Sequence, residues 1–289
     1  MRFVRKIIVA LIVAVACAAA IWLCCLNSRY IFIPHETAKR SSDIKIAALN
    51  ICGFSYAKEA EALSVALVKL AEEKDIDIVL IQEFYLPKSL TRKKFADIAQ
   101  KCFPYTSIMD ECAVLSRIPL CSHEREKFPG SSSSYSSITF DSGKGKFRIL
   151  ALHLNTTGMY NYKNGRSVEN TEDALRLGEI LLRNGEIRIK QAEKVGEAVR
   201  ESEIPVIVAG DFNALPLSKV YNLIKGKTLR DAFLEKGHGK GSTYLLLKDI
   251  FRIDYILHDR HFRCRDFEMS EKIASDHRMV VATLKKRAL

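Results

Sequence analysis

The sequence predicts a strand-rich α/β fold, and three observations predict it. Short β-branched apolar runs recur along the chain and each stops abruptly at a polar residue. The stretch between the first two runs carries apolar side chains at helical spacing. Of the 289 residues, 48% are hydrophobic and 27% charged, enough for a full-sized core. That balance, with only 14 Gly and 7 Pro, excludes a disordered or fibrous chain. One catalytic-sized domain plus an appendage is expected at this length.

The appendage comes first. Ile7–Leu26 is apolar and uncharged, and about twenty such residues is what a bilayer core requires. The expected organisation is a short N-terminus (1–6), a transmembrane signal anchor (7–26), a linker (27–42) and a catalytic domain (43–289). Arg2, Arg5 and Lys6 precede the span and only Arg29 directly follows it, so the positive-inside bias puts the N-terminus in the cytoplasm and the domain on the extracytoplasmic side. A cleaved secretory signal is the competing reading, and Ala14-Val15-Ala16-Cys17 faintly resembles a lipidation box.

The domain opens with a strand over Ile44–Leu49 that ends at Asn50, and a second over Ile76–Gln82 that ends at Glu83. Glu59–Lys74 is the helix between them, with Ala62, Val65, Ala66, the Lys69 stem and Leu70 as its apolar face. Further strands are expected at Ala113–Ser116, Ser136–Phe140, Phe147–Leu152, Pro205–Ala209, Arg252–Leu257 and Met279–Leu284. Asn155–Arg183 is polar, with Gly158, Gly165 and Gly178, and is expected to loop over one face before a helix reaching Arg200.

Net charge is +11, of which residues 1–40 hold +5 and the remainder +6. That surplus suits an anionic substrate or a membrane surface and is short of a nucleic-acid-coating protein. Outside the apolar span the cysteines are Cys52, Cys102, Cys112, Cys121 and Cys264, an odd set without metal-type spacing. Cys102 and Cys112 could pair across a turn in an oxidising compartment; burial as small hydrophobes is the alternative.

Five runs deliver a polar group at or near a strand end: Asn50, Glu83, His153, Asp211 and Asp254. Singly, each reads as a local turn partner. Together, on strands that end side by side, they would share one crevice. In Gly210-Asp211-Phe212-Asn213 the two polar side chains are two apart and would face the same way in extended backbone, with Gly210 permitting a sharp exit. Asp254 lies inside an apolar strand and needs a partner, for which His277 in Ser275-Asp276-His277 is the natural candidate. There is no Gly-x-Ser-x-Gly elbow, phosphate-loop motif or His-Glu-x-x-His.

Taken in order, Leu49-Asn50-Ile51, Gln82-Glu83, Leu115-Ser116-Arg117-Ile118-Pro119, Leu152-His153-Leu154, Gly210-Asp211-Phe212-Asn213, Arg252-Ile253-Asp254-Tyr255 and Ser275-Asp276-His277 resemble the endonuclease/exonuclease/phosphatase superfamily. This group includes deoxyribonuclease I, abasic-site endonucleases, neutral sphingomyelinases and inositol polyphosphate phosphatases, and the likeness runs from Asp43 to Leu284. It implies a four-layered α/β-sandwich of two packed mixed β-sheets flanked by helices, and hydrolysis of phosphate esters with a divalent metal.

The resemblance also implies roles. Glu83 would be the principal metal ligand, with Asn50 and Asp276, an oxygen set that suits Mg²⁺ or Mn²⁺. Asp211 would orient and deprotonate the attacking water, and Asn213 would hold that water or a phosphate oxygen. Asp254 would orient His277, and His153 would donate to the phosphate or the leaving oxygen. Either Asp211 or His277 could be the base. Glu111 is the candidate carboxylate for His153. Cys52 stands where many relatives carry a polar or basic side chain. Arg117 and the loop Gly237–Tyr244 each have a structural reading beside a phosphate-binding one. The expected partners are a phosphate-ester substrate, from nucleic acid or from phospholipid or inositol phosphate, and the membrane through the N-terminal helix. The chain is read as a monomer. Tyr160–Asn164 could contact substrate. A sphingomyelinase-like phosphodiesterase and an inactive tethered binding module are the alternative functions.

Overall fold

The structure, a computed structural model, describes residues 39–40, 42–131, 133–158, 171–245, 250–270 and 273–287. The apolar segment 7–26, most of the linker and Tyr160–Asn164 lie outside the described residues. Among the described residues no helix is long and apolar enough to cross a membrane.

Twelve described strands build two sheets. The first contains β1 (Asp43–Asn50), β2 (Ile78–Gln82), β3 (Tyr105–Met109), β4 (Cys112–Ser116), β11 (Phe262–Met269) and β12 (Val280–Lys286), in the order β11-β12-β1-β2-β4-β3. The second contains β5 (Leu120–Lys127), β6 (Ser134–Asp141), β7 (Lys146–His153), β8 (Val206–Asp211), β9 (Arg230–Asp231) and β10 (Asp254–His258), in the order β5-β6-β7-β8-β10-β9. Each sheet is mixed: β1–β2 and β7–β8 are parallel and the remaining pairs antiparallel.

Three apolar cores separate four layers. Alternate strand residues (Ile44, Ile46 and Ala48 from one sheet, Ile149, Ala151 and Ile207 from the other) meet between the sheets. The intervening residues, such as Ala47 and Leu49, face helices α1 (Ala60–Glu73) and α2 (Arg92–Ala99). On the other outer face Leu150, Leu152 and Val208 pack against α3 (Thr171–Arg200) and α4 (Lys219–Lys225). A fifth helix, α5 (Ala232–Lys236), sends Ala232 and Phe233 into the middle core. Burial on both faces is why the central strands read as continuous apolar runs. Each fully buried Ile or Phe contributes roughly 1.5–3 kcal/mol, so strand register is held firmly where it matters for the site.

Two expectations are corrected. The helix after the first strand is present, but its buried face is Ala60, Leu63, Ser64, Leu67, Val68 and Ala71; Val65 is 49% exposed. Ser64 is tolerated inside because its hydroxyl donates to the Ala60 carbonyl at 2.7 Å. The second correction is α3, which begins at Thr171, so Thr171–Arg183 is helical where a loop was expected. Leu175 and Leu182, more than 60% exposed, blur the amphipathic pattern there, and Gly178 meets no neighbour that excludes a helix.

Candidate active site

Register builds the site. Across the parallel pair β1–β2, Asn50 stands beside Gln82, the residue before Glu83. Across β7–β8, His153 stands beside Asp211; across β8–β10, Asp211 stands beside Asp254. Strands that finish or begin together therefore deliver these groups to one mouth between the sheets.

Backbone strain sharpens the delivery. Glu83 and Asn213 both occupy the left-handed region, at φ 50° and 46°, which non-glycine residues adopt at a cost of about 1–3 kcal/mol. Main-chain bonds hold Glu83 there: the Gly53 N–H donates to the Glu83 carbonyl at 3.0 Å and the Phe84 N–H to the Glu111 carbonyl at 2.9 Å. Gly210 has φ 124°, and a Cβ on it would lie 2.2 Å from the Leu152 carbonyl oxygen, so only glycine lets β8 approach β7 this closely.

The polar groups form one continuous chain. The Tyr85 hydroxyl donates to Glu111, whose Oε2 lies 3.3 Å from His153 Nδ1. His153 Nε2 is 3.2 Å from Glu83 Oε1. Asn50 Nδ2 donates to Glu83 Oε1 at 2.9 Å and to Asp211 Oδ2 at 3.1 Å. His277 Nε2 is 3.8 Å from Asp211 Oδ2, and its Nδ1 is 2.9 Å from Asp254 Oδ2. All eight sequence-predicted site residues thus lie in or beside this network: Asn50, Glu83, His153, Asp211, Asn213 and Asp254 as strand-end groups, and His277 on Asp254. Asp276 precedes His277 and acts electrostatically on both it and Cys52.

Some contacts favour the local readings. Asp211 Oδ1 accepts the Asn213 N–H at 2.7 Å, and Asn213 Nδ2 donates to the Leu154 carbonyl at 3.1 Å. Asn50 turns its oxygen to the Cys52 N–H at 2.9 Å. Arg117 is structural: its guanidinium pairs with Asp75 at 2.7 Å and lies 5.3 Å from the Phe103 ring centre. Cys102 and Cys112 are both free thiols, and Cys112 is buried.

Electrostatics follow from burial and pairing. Burial pushes the His277 imidazole down, but the charge and hydrogen bond of Asp254, then the charges of Asp211 and Asp276, outweigh it and raise its pKa to about 10. His153 is raised by Glu111 and Glu83 against burial in the same way. Burial favours the neutral form of Glu83 and Glu111, yet His153 holds both below the usual carboxylate range. Asp211 moves upward to about 6 because it is buried and beside Asp254.

Several supporting residues stood in the sequence only as parts of named stretches, Thr243 and Tyr244 in the loop Gly237–Tyr244 and Ser275 before Asp276-His277, and Arg188 carried no signal at all. Thr243 Oγ1 accepts the N–H groups of Ile253 and Asp254 at 3.0 and 3.1 Å, fixing the start of β10. The loop Gly237–Tyr244 therefore does lie at the site, as a brace. Tyr244 bridges to His277, with ring centres 5.1 Å apart. Ser275 Oγ donates to the Asn50 carbonyl at 2.6 Å and accepts the His277 N–H at 3.1 Å, tying the last motif to the first. Arg188, on α3, binds the carbonyls of Asn155 and Thr156, both at 3.1 Å, and its charge reaches Asp211.

A divalent cation fits this pocket. Glu83, Glu111, Asp211, Asp254 and Asp276 set five carboxylates against two imidazoles, with the Arg188 guanidinium reaching Asp211 from α3, so acidic groups outnumber basic ones. Asp276 Oδ1 is buried with no hydrogen-bond partner among the described residues. Asp211, Asp254 and His277 also present ligand-type atoms within 4.8 Å of one another, although His277 Nδ1 is spent on Asp254.

The Endonuclease/Exonuclease/phosphatase family model matches residues 47–277, which holds every residue of the pocket. None of the curated proteins matches the sequence. Among solved structures, an endonuclease/exonuclease/phosphatase family protein from Leptotrichia buccalis C-1013-b is 15% identical with a TM-score of 0.61, covering 83% of this chain and 99% of that one. Truncated Caenorhabditis elegans TDP2 is 18% identical with a TM-score of 0.58, covering 84% and 98%. D. rerio TDP2 complexed with single strand DNA product is 18% identical with a TM-score of 0.59, covering 84% and 99%. At these identities the likeness carries the fold alone. The match over residues 47–277, on two packed sheets that gather its polar positions at one mouth, makes this chain a member of the endonuclease/exonuclease/phosphatase family.

Proposed function

We propose that this protein is a Mg²⁺-dependent phosphoesterase, tethered to a membrane by residues 7–26, that cleaves phosphate esters by in-line attack of water. The observation that carries the proposal is the net negative pocket. An anionic phosphate would be repelled by five carboxylates unless a hard cation stood between them. Oxygen from Glu83 and Asp276, with Asn50 beside them, suits Mg²⁺ or Mn²⁺. Glu83 is already ionised at neutral pH, and a cation would take over the compensation now supplied by His153 and the Asn50 amide. When bound, the metal would neutralise charge developing on the phosphate.

The protein's own groups divide the remaining work. Asp211, buried and with its pKa raised, is suited to take the proton of the attacking water, and Asn213 limits where Asp211 points. His277, kept protonated by Asp254, would donate to a non-bridging phosphate oxygen. A protonated His277 would leave Asp211 as the base, the reading the raised His277 pKa supports. His153, paired on both nitrogens with carboxylates, would turn to the phosphate or leaving oxygen once Glu83 is engaged elsewhere.

Nucleic acid is the substrate class favoured here, supported by the fold likeness to TDP2, one structure of which holds a single strand DNA product. The test is a panel of single-stranded DNA, plasmid DNA, RNA, sphingomyelin and inositol phosphates, assayed with Mg²⁺, Mn²⁺ or chelator. Metal-dependent cleavage of DNA is expected. Cleavage of sphingomyelin alone would replace the substrate class, and no cleavage of any substrate with either metal would overturn the enzymatic reading.

A further inference from the structure

At the far end of β1 and β12 from the catalytic mouth lies a second concavity, a cleft of about 380 Å³ lined by Arg40, Lys236, Arg263, Cys264, Arg265 and Lys285. Five of these six residues are cationic. Arg265 approaches Asp43 at 3.5 Å. Arg40, Lys236, Arg263 and Lys285 are exposed, and none has a carboxylate partner among the described residues. The nearest acid on α5, Glu235, is occupied by Arg230 at 3.5 Å, His258 at 3.1 Å and the Cys264 N–H at 3.2 Å. Register explains the clustering, because Lys285 on β12 pairs with Asp43 on one side and Arg263 on the other. Unpaired cations around a hollow repel one another, and an anion inside it relieves that repulsion.

The position of the cleft indicates which anion. Arg40 lies fourteen residues past Leu26, where the uncharged apolar segment ends, so the chain reaches the domain at the basic pole. β1 then runs eight residues from Asp43 to Asn50, which at about 3.3 Å per step puts the catalytic mouth roughly 23 Å away. We infer that the cleft of Arg40, Lys236, Arg263 and Lys285 seats the domain on anionic phospholipid headgroups and so points the catalytic mouth away from the bilayer. The inference rests on the proposed tether. It favours a substrate approaching from solution over a lipid of the same membrane. Each basic residue near such a surface contributes about fivefold in binding, and the effect fades within a Debye length of about 10 Å.

The full chain, reconstituted into phosphatidylcholine vesicles with or without phosphatidylglycerol, tests this by lysine acetylation rates. Lys236 and Lys285 should react about fivefold more slowly with phosphatidylglycerol present. Exposed Lys58 and Lys88, beside the segments that carry Cys52 and Glu83, should be unaffected. High salt or the R263E/K285E variant should abolish the protection, the latter without changing turnover of a soluble phosphodiester. Equal rates in both vesicles, or protection of Lys58 and Lys88 instead, overturn the inference, as does protection by added DNA but not by phosphatidylglycerol. Flotation separates the two readings. A chain that floats only with phosphatidylglycerol vesicles supports the cleft and removes the tether, and one that floats with neither removes both.

Discussion

Asp254 Oδ2 and His277 Nδ1 lie 2.9 Å apart, with side chains 1% and 6% exposed. A buried carboxylate so placed fixes the ring's orientation and its protonation. D254N should therefore bring the His277 pKa down from about 10, readable by NMR titration of the metal-free protein, and lower turnover by about 10²–10⁴. An unmoved His277 titration contradicts the pairing.

The same shift has a consequence for stability. The folded pKa of His277 is above its unfolded value of 6.5, so its contribution is fully present below pH 6.5 and is lost as pH rises through about 10. Metal-free protein should melt at progressively lower temperature across that window. D254N should flatten the dependence, and equal slopes in both proteins would refute it.

Glu111 touches His153 Nδ1 at 3.3 Å, and under the proposed mechanism it would act through that ring as a positioning residue. E111Q should cut turnover about tenfold and move the His153 titration down, with Y85F giving a smaller loss of turnover. A fall in turnover with an unchanged pH profile would assign Glu111 a purely structural role.

Gly210→Ala should destabilise by about 2–4 kcal/mol, because the new methyl meets the Leu152 carbonyl and β7 and β8 must separate at the site. Denaturant melts read this directly. A loss under about 0.5 kcal/mol would show that the close approach is not required.

Mg²⁺ at a hundredfold excess over its dissociation constant should raise stability by about 2.7 kcal/mol, and E83Q should abolish most of the gain. A stabilisation equal in wild type and E83Q would remove Glu83 from the metal site.

Much of this architecture was legible in the sequence because its central strands are buried on both faces, leaving uninterrupted runs such as Ile78–Gln82 and Val206–Asp211. Edge strand β5, Leu120–Lys127, was not legible: six of its eight residues are Ser, His, Glu, Arg, Glu and Lys, and half of the strand is exposed. The site's strand-end groups were visible as polar stops in apolar runs. Its braces were visible only as candidates or as parts of longer motifs: Glu111 as a carboxylate for His153, Ser275 before Asp276-His277, and Thr243 inside the loop Gly237–Tyr244. The bonds they make, such as Glu111 reaching His153 across 42 residues from the β3–β4 turn, exist only once the chain has folded.

The central claim, that Glu83 and His277 serve one metal-dependent hydrolytic pocket, is tested most directly by turnover of a phosphodiester in wild type, E83Q, H277A and the double variant, with Mg²⁺ saturating. Each single change should cost at least about a hundredfold, and the double variant should lose little more than the worse single one. Near wild-type turnover in either single variant would contradict the account, as would fully multiplicative losses in the double variant.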